Sequence, residues 1–155
     1  EKEALRFNPS SVIVRTSWVY SSYGKNFVKT MVKLMKERKE LSVVIDQVGS
    51  PTYAADLAEA LLAIAVSENF SPGIFHYSNE GVISWHEFAT EIASLIHADC
   101  VIHPIPTSEF PTPAKRPAFS GMDKSRICKE YGIVLKPWKE SLKACIGRLS
   151  AEAHA

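Results

Sequence analysis

The fold of this chain follows from the segment Val12-Ile13-Val14-Arg15-Thr16-Ser17-Trp18-Val19-Tyr20-Ser21-Ser22-Tyr23-Gly24-Lys25-Asn26-Phe27. Its first three residues are β-branched and predict a strand that is covered on both faces. Polar and aromatic residues then follow, and Asn26 is placed to cap a helix. In open α/β sheets, ligands bind beyond the carboxyl ends of strands, so this turn is a candidate site. A strand, a loop and a capped helix without any binding role fit the same residues.

Composition sets the class of protein. The chain has 155 residues, 46% of them hydrophobic, which is enough for one domain with a real core. Its 18 basic and 17 acidic residues nearly balance, which argues against nucleic acid or an anionic membrane as a partner. The longest apolar run, residues 60–66, is far too short to span a bilayer. Three widely spaced cysteines predict reduced thiols and a cytoplasmic location.

Residues 1–150 read as one α/β unit, followed by a tail at 151–155. The first residue is not Met and no strand precedes the opening helix, so we expect a fragment of a longer protein. Hydrophobic periodicity predicts helices at 1–7, 26–39, 53–67, 84–96, 123–131 and 138–149. Short apolar runs predict strands at 12–14, 41–45, 74–77 and 100–105. Alternation of the two indicates at least partly parallel strand pairing.

Several local signals sharpen these predictions. Ser84 and Glu87 fit a capping box, and Gly132 fits a left-handed helix end. Asp123 is predicted to cap the helix before Gly132. The helix at 53–67 is apolar around most of its circumference, which predicts a central place in the packing. Five prolines between residues 104 and 117 predict an extended loop.

The sequence contains no complete catalytic motif. It has no glycine-rich phosphate loop, no Tyr-x-x-x-Lys pair and no G-x-S-x-G elbow. The histidines and cysteines lack metal-ligand spacing, so we expect no metal site; the five histidines are His76, His86, His97, His103 and His154. Three loops do have binding-type residues: 15–26, 47–52 and 115–120. A planar base, a diphosphate and a sugar ring would suit the Arg, Trp, Asn and Gln side chains they contain.

Taken in order, the three loops resemble the C-terminal half of dTDP-4-dehydrorhamnose reductases, members of the extended short-chain dehydrogenase/reductase superfamily. The resemblance rests on motifs that span the chain from Glu1 to about Arg148; they are Val14-Arg15-Thr16-Ser17-Trp18-Val19-Tyr20, Gly24-Lys25-Asn26-Phe27-Val28, Asp46-Gln47-Val48-Gly49-Ser50-Pro51-Thr52, Arg116-Pro117 before Ser120, Asp123, and Leu135-Lys136-Pro137-Trp138. It implies the C-terminal part of a Rossmann-like fold with its substrate-binding subdomain. The half that binds NADPH or NADH, together with the catalytic Tyr-x-x-x-Lys, would precede Glu1.

The resemblance also implies roles for individual residues. Trp18 would line the sugar pocket, and Asn26 would lie near the nucleotide diphosphate. The substrate cleft would also include Gln47, Ser50, Thr52 and Arg116, with Arg116 against a phosphate. The backbone at Thr16 and Ser17 would pass close to the nicotinamide. No residue of this chain would be catalytic, so the chain alone would not transfer hydride.

The implied reaction is reduction of dTDP-4-dehydro-L-rhamnose to dTDP-L-rhamnose, a step toward cell-surface polysaccharide. The implied binding partner is a nucleotide-sugar, and a homodimer is a candidate assembly. Another nucleotide-sugar reductase or epimerase is one alternative. A non-catalytic, reductase-like regulatory subunit is a second. A third is an interaction domain that uses the lysine-rich face of the helix at 26–39.

Overall fold

Helices alternate with short strands in residues 1–114 and 116–152, the part of the chain that the computed structural model describes. The helices are α1 (Lys2–Phe7), α2 (Phe27–Glu37), α3 (Ala54–Ala65), α4 (Trp85–Leu95), α5 (Ser125–Tyr131) and α6 (Trp138–Glu152). The strands are β1 (Val12–Arg15), β2 (Val19–Tyr20), β3 (Glu40–Val44), β4 (Val48–Gly49), β5 (Thr52–Tyr53), β6 (Gly73–His76), β7 (Ile83–Ser84) and β8 (Val101–Ile105). A 3₁₀ turn at Thr107–Glu109 follows β8.

The strands of the described residues associate in pairs. β1 lies parallel to β6, β2 to β5, and β3 to β8, whereas β4 and β7 are antiparallel. The β3–β8 register places Leu41 opposite Ile102. Each parallel pair joins strands that are distant in sequence, as a helical crossover requires. The prediction of an α/β chain with partly parallel pairing is confirmed.

Two apolar clusters form the core. The larger one packs α2, α4 and α6 around β2 and β3, and its fully buried members include Val28, Phe88, Ile92 and Leu142. The smaller one lies between α3, α5 and the β1–β6 pair, with Phe75 and Ile127 at its centre. Sites that need precise geometry form where such clusters fix the surrounding loops.

The predicted helix ends are largely confirmed. Asn26 caps α2 by accepting the Lys29 N–H, and Ser84 with Glu87 forms the full capping box of α4. Gly132 ends α5 at φ 64°. Asp123 accepts the Ser125 N–H, although Lys124 occupies the cap position itself.

Three predictions about the fold are wrong, two about packing and one about a loop. α3 is not central, because only Asp56, Ala60 and Ile64 are buried, four residues apart on one face. Leu62 on its other side is 65% exposed. β1 is half-buried rather than covered on both faces, because Val12 and Val14 pack against the smaller cluster while Ile13, on the other face, is only partly buried. Residues 47–52, predicted as a loop, contain β4 and the start of β5.

The ends of the chain and the lysine-rich helix complete the comparison. α6 continues through Glu152 and so includes the first two residues of the predicted tail. Lys115, His154 and the rest of residues 153–155 lie outside the described residues. On α2, Lys33 pairs with Glu37, and Lys39 just beyond the helix pairs with Asp99, so the basic face is partly neutralised.

Candidate functional site

The first two predicted loops meet side by side. Thr16 Oγ1 donates to Thr52 Oγ1 at 3.0 Å, and Ser17 Oγ donates to the Ser50 carbonyl at 2.9 Å. The Thr52 N–H donates to the Trp18 carbonyl, in register with the short β2–β5 pair. Five of the predicted site residues in these loops are therefore joined directly. Ser50 and Thr52 are almost fully buried, which means that their side chains support the loop from within.

The third loop joins the second through Val48. Its N–H donates to the Ala118 carbonyl at 2.8 Å, and its carbonyl accepts the Ser120 N–H at the same distance. Val48 and Phe119 form an isolated parallel bridge. The three loops, which are up to a hundred residues apart in sequence, are consequently joined by backbone and side-chain hydrogen bonds, and their shared role in binding stays a prediction.

Trp18 has an unusual backbone conformation. Its φ is 48°, in the left-handed region that a bulky residue rarely adopts. Its indole stacks on that of Trp85 with the ring centroids 3.6 Å apart and the planes 11° from parallel. Gly49 lies against the same ring, so close that an added Cβ would be 2.8 Å from Trp18 Cε2. Tertiary contacts hold Trp18 in this position.

Asn26 uses both ends of its side-chain amide within the protein. Its Nδ2 donates to the carbonyls of Ser21 and Tyr23, while its Oδ1 accepts the Lys29 N–H. These bonds close the loop before α2 and orient the first turn of that helix. The proximity of Asn26 to a diphosphate stays a prediction.

The segment after β8 is held against the second loop by Thr107. Gln47 Nε2 donates to Thr107 Oγ1 at 3.0 Å, and the Asp46 carboxylate accepts from both the Thr107 hydroxyl and its N–H. The hydroxyl of Thr107, followed by its N–H, holds the pKa of Asp46 below its ordinary value. The proline-rich loop thus has a fixed start.

A cavity of about 980 Å³ opens between α2, β3 and this proline-rich loop. Among the predicted site residues, Gln47 and Arg116 line it. Its other lining side chains are of two kinds. The apolar ones are Phe27, Met31, Leu34, Leu41, Val43, Val44, Trp85, Ile105 and Phe110, and the polar or charged ones are Thr30, Arg38, Glu40, Ser42, His103 and Glu109. Arg116 Nη1 donates to Thr112 Oγ1, and the exposed guanidinium keeps further N–H groups for a ligand. A concave site that combines apolar side chains with convergent polar groups is typical of small-molecule sites.

A buried polar cluster supports the loops from behind. The Asp56 carboxylate accepts from Asn79 Nδ2 at 2.7 Å, from Ser141 Oγ at 2.5 Å and from Lys136 Nζ at 2.9 Å. Burial alone would raise the pKa of Asp56, but these three donors lower it overall. Hydrogen bonds to Glu59 and Asp56 raise the pKa of Lys136.

Sequence reasoning missed the site roles of Asn79 and Trp85. Asn79 Oδ1 accepts the Tyr53 N–H, and its own N–H donates to the Pro51 carbonyl, so it fixes the second loop. In the sequence, Trp85 reads as one of the apolar residues that give the helix at 84–96 its periodicity. The capping box at Ser84 was the available signal, because it places Trp85 at the first helical position, beside the loops.

Two kinds of feature are absent from the described residues. No group of three or more His, Cys, Asp or Glu side chains in residues 1–114 and 116–152 could hold a metal ion. Within the same ranges, no helix is long and apolar enough to cross a membrane.

Comparison with known proteins identifies the family. Residues 1–151 match the model of the RmlD substrate binding domain. The chain belongs to the RmlD substrate binding domain family. Its α/β fold is that of the C-terminal part of a Rossmann-like, extended short-chain dehydrogenase.

Individual relatives agree with this assignment of the RmlD domain. The chain is 42% identical over 153 residues to the dTDP-4-dehydrorhamnose reductase of Aggregatibacter actinomycetemcomitans. This match covers 92% of the chain and 52% of that protein. A reductase of the same name from Clostridium acetobutylicum superimposes with a TM-score of 0.87 at 42% identity, over 94% of this chain and 51% of that one. The Bacillus anthracis reductase, solved in complex with NADP, gives a TM-score of 0.80 at 41% identity, covering 88% and 48%. The chain spans about half the length of these relatives.

Proposed function

We propose that this chain is the nucleotide-sugar-binding part of a reductase that converts dTDP-4-dehydro-L-rhamnose to dTDP-L-rhamnose for cell-surface polysaccharide synthesis. The observation that supports it most is that the three predicted loops are in contact beside a cavity lined by Gln47 and Arg116: Thr16 and Ser17 bond the first loop to the second, and Val48 bonds the second to the third. The relatives named dTDP-4-dehydrorhamnose reductase point to the same substrate.

The cavity offers complementary groups for each part of such a ligand. Its apolar wall, with Phe27 and Leu41, suits a planar base, and Arg116 provides the positive charge that a diphosphate requires. The hydroxyls of Thr16 and Ser17 lie at the carboxyl end of β1 on the neighbouring loop, where a sugar would find polar partners. Ser50, Thr52 and Trp18 hold that loop in shape.

The nicotinamide would approach the backbone of Thr16 and Ser17. Thr16 is exposed at the end of β1, which is the edge where open α/β sheets receive their ligands. When bound, NADPH or NADH supplies the hydride. The contribution of this chain is to hold the C4 ketone of the sugar in a fixed position, which can supply several kcal/mol of the lowered barrier. The proton donor would be a tyrosine outside this chain. The enzyme would be located in the cytoplasm.

The test is an assay of the complete gene product. We expect oxidation of NADPH when dTDP-4-dehydro-L-rhamnose is added, with much slower oxidation for the UDP-linked sugar as the matched control. The 155-residue chain alone should bind dTDP in a calorimeter yet oxidise no NADPH.

The other outcomes identify the alternatives. A complete protein that binds dTDP but oxidises no NADPH would be a non-catalytic relative. Sugar interconversion without net NADPH consumption would indicate an epimerase. Absence of dTDP binding by the complete gene product would refute the proposal altogether.

A further inference from the structure

Trp85 lies at the junction of the loop surface and the cavity. It is the first residue of α4, and the capping box orients that turn: Ser84 Oγ accepts the Glu87 N–H at 3.0 Å, and the Glu87 carboxylate accepts the Ser84 N–H at 2.7 Å. One side of its indole stacks on Trp18, and the Phe27 ring centroid is 4.5 Å from its own. The Trp85 side chain is therefore held from two directions while it lines the cavity.

Trp18 acts on the same ring from behind. Its left-handed backbone is kept by the Thr52 N–H, which donates to its carbonyl at 3.2 Å, and by the missing side chain at Gly49. A strained conformation of this kind persists only where the surrounding structure fixes it, and it is frequent at ligand sites. In this chain, the Trp18 indole lies in a near-parallel stack on that of Trp85.

We propose that Trp85 is a ligand-contacting residue of the nucleotide part of the site, and that Trp18 is a positioning residue that holds the Trp85 indole. The inference rests on the proposed function for the identity of the ligand. Trp85 lines the cavity together with Arg116, so a bound nucleotide diphosphate would contact its indole. Trp18 affects nucleotide binding through the stack.

The experiment measures binding of dTDP, which has no sugar, to the complete gene product by calorimetry. Trp85→Ala should weaken dTDP about tenfold, the loss of one well-placed aromatic contact. Trp85→Phe keeps a ring and should restore most of the affinity. Trp18→Ala should have a smaller effect, and Trp18→Phe should restore it; the double alanine variant should be less than additive, because the two rings are in contact.

Fluorescence provides a readout that a purely structural role would not change. The chain has three tryptophans, and Trp138 is buried against Phe88. We expect dTDP to change the emission of the wild type and of Trp138→Phe, but to have little effect on Trp85→Phe. Leu142→Ala removes a fully buried side chain of α6 and is the matched control for instability, with unchanged dTDP affinity expected at a temperature where it stays folded.

The possible failures are distinct. If the wild type does not bind dTDP, the proposed function fails. If the wild type binds dTDP and Trp85→Ala binds it equally well, the role of Trp85 is refuted and the proposed function stands. Additive effects of the two alanine substitutions would refute the positioning role of Trp18.

Discussion

Asn79 donates a hydrogen bond from Nδ2 to the Asp56 carboxylate at 2.7 Å, and both side chains are buried. The same amide accepts the buried Tyr53 N–H at the end of the second loop. This pair therefore connects the binding loop with helix α3, and through Ser141 with α6. It is the main polar contact between the candidate site and the core behind it.

Replacement of Asn79 should show how strongly this pair stabilises the fold. Asn79→Ala leaves the Tyr53 N–H and part of the Asp56 carboxylate without partners, so we expect a loss of about 2–3 kcal/mol in the free energy of unfolding. Urea titration followed by circular dichroism measures it. Glu59→Ala is the control, because Glu59 contacts Lys136 from an exposed position and should cost less than about 1 kcal/mol. Equal losses would contradict this ranking.

The pH dependence of stability should reflect Asp56. Its pKa is lowered in the folded chain, so its contribution is present above the ordinary value of about 3.9 and is lost as the pH falls through the folded pKa. Stability of the wild type should therefore fall below about pH 4. In Asp56→Asn, which is less stable at neutral pH, the curve should be flatter in that range. Parallel curves for the two proteins, from urea titrations at each pH, would show that other carboxylates are responsible.

Replacement of Tyr20 should raise the free energy of unfolding, whereas replacement of Asn79 should lower it. Its ring is fully buried between Tyr53 and Phe88, and its hydroxyl has no hydrogen-bond partner among the described residues. Burial raises its pKa, so the hydroxyl stays protonated. Tyr20→Phe removes a polar group that is costly to bury and should stabilise the chain by about 1 kcal/mol.

Tyr131→Phe is the control for that change. The Tyr131 hydroxyl donates to the Ser71 carbonyl and accepts its N–H, so this substitution should destabilise by about 1 kcal/mol. Thermal unfolding measures both variants. A destabilised Tyr20→Phe would mean that its hydroxyl is satisfied in solution.

Gly49 has no side chain, and this lets the Trp18 ring and Ser120 of the neighbouring loops approach it closely. An added Cβ would lie 2.3 Å from Ser120 Oγ and 2.8 Å from Trp18 Cε2, so Gly49→Ala must move one loop. We expect a loss of about 1–3 kcal/mol in stability, together with weaker dTDP binding. Gly147→Ala in α6 is the control, since its Cβ meets nothing within 4 Å and should stabilise by about 0.5–1 kcal/mol. Tight dTDP binding by Gly49→Ala would argue against a rigid loop junction.

Arg116 is the charged group that we expect to meet the diphosphate. Arg116→Ala should weaken dTDP roughly tenfold, as expected for one lost charge-assisted contact, while thymidine, which has no phosphate, is affected little. Calorimetry at low and moderate salt measures both ligands. Arg6→Ala removes an exposed arginine paired with Glu3 and should change neither. Equal weakening of dTDP and thymidine would place Arg116 away from the phosphates.

The sequence was sufficient for features that depend on near neighbours. The caps at Asn26 and Ser84, the left-handed Gly132 and the parallel α/β arrangement follow from local residue chemistry and periodicity. Packing was harder to predict. The composition of α3 suggested a central helix, but periodicity cannot show which of its apolar sides will meet a partner, and Leu62 is exposed.

By itself, the sequence predicted that three loops form the candidate site, because their residue types follow a recognisable order from Arg15 to Ser120. Only the tertiary structure decided what each of these residues contacts and how deeply it is buried. Trp18 is stacked on Trp85, Asn26 is engaged in capping α2, and Ser50 and Thr52 are buried supports, whereas Gln47 and Arg116 line the cavity. The physical reason is that burial, stacking and hydrogen-bond partners come from residues distant in sequence, such as Asn79 and Val48, whose proximity is a property of the folded chain.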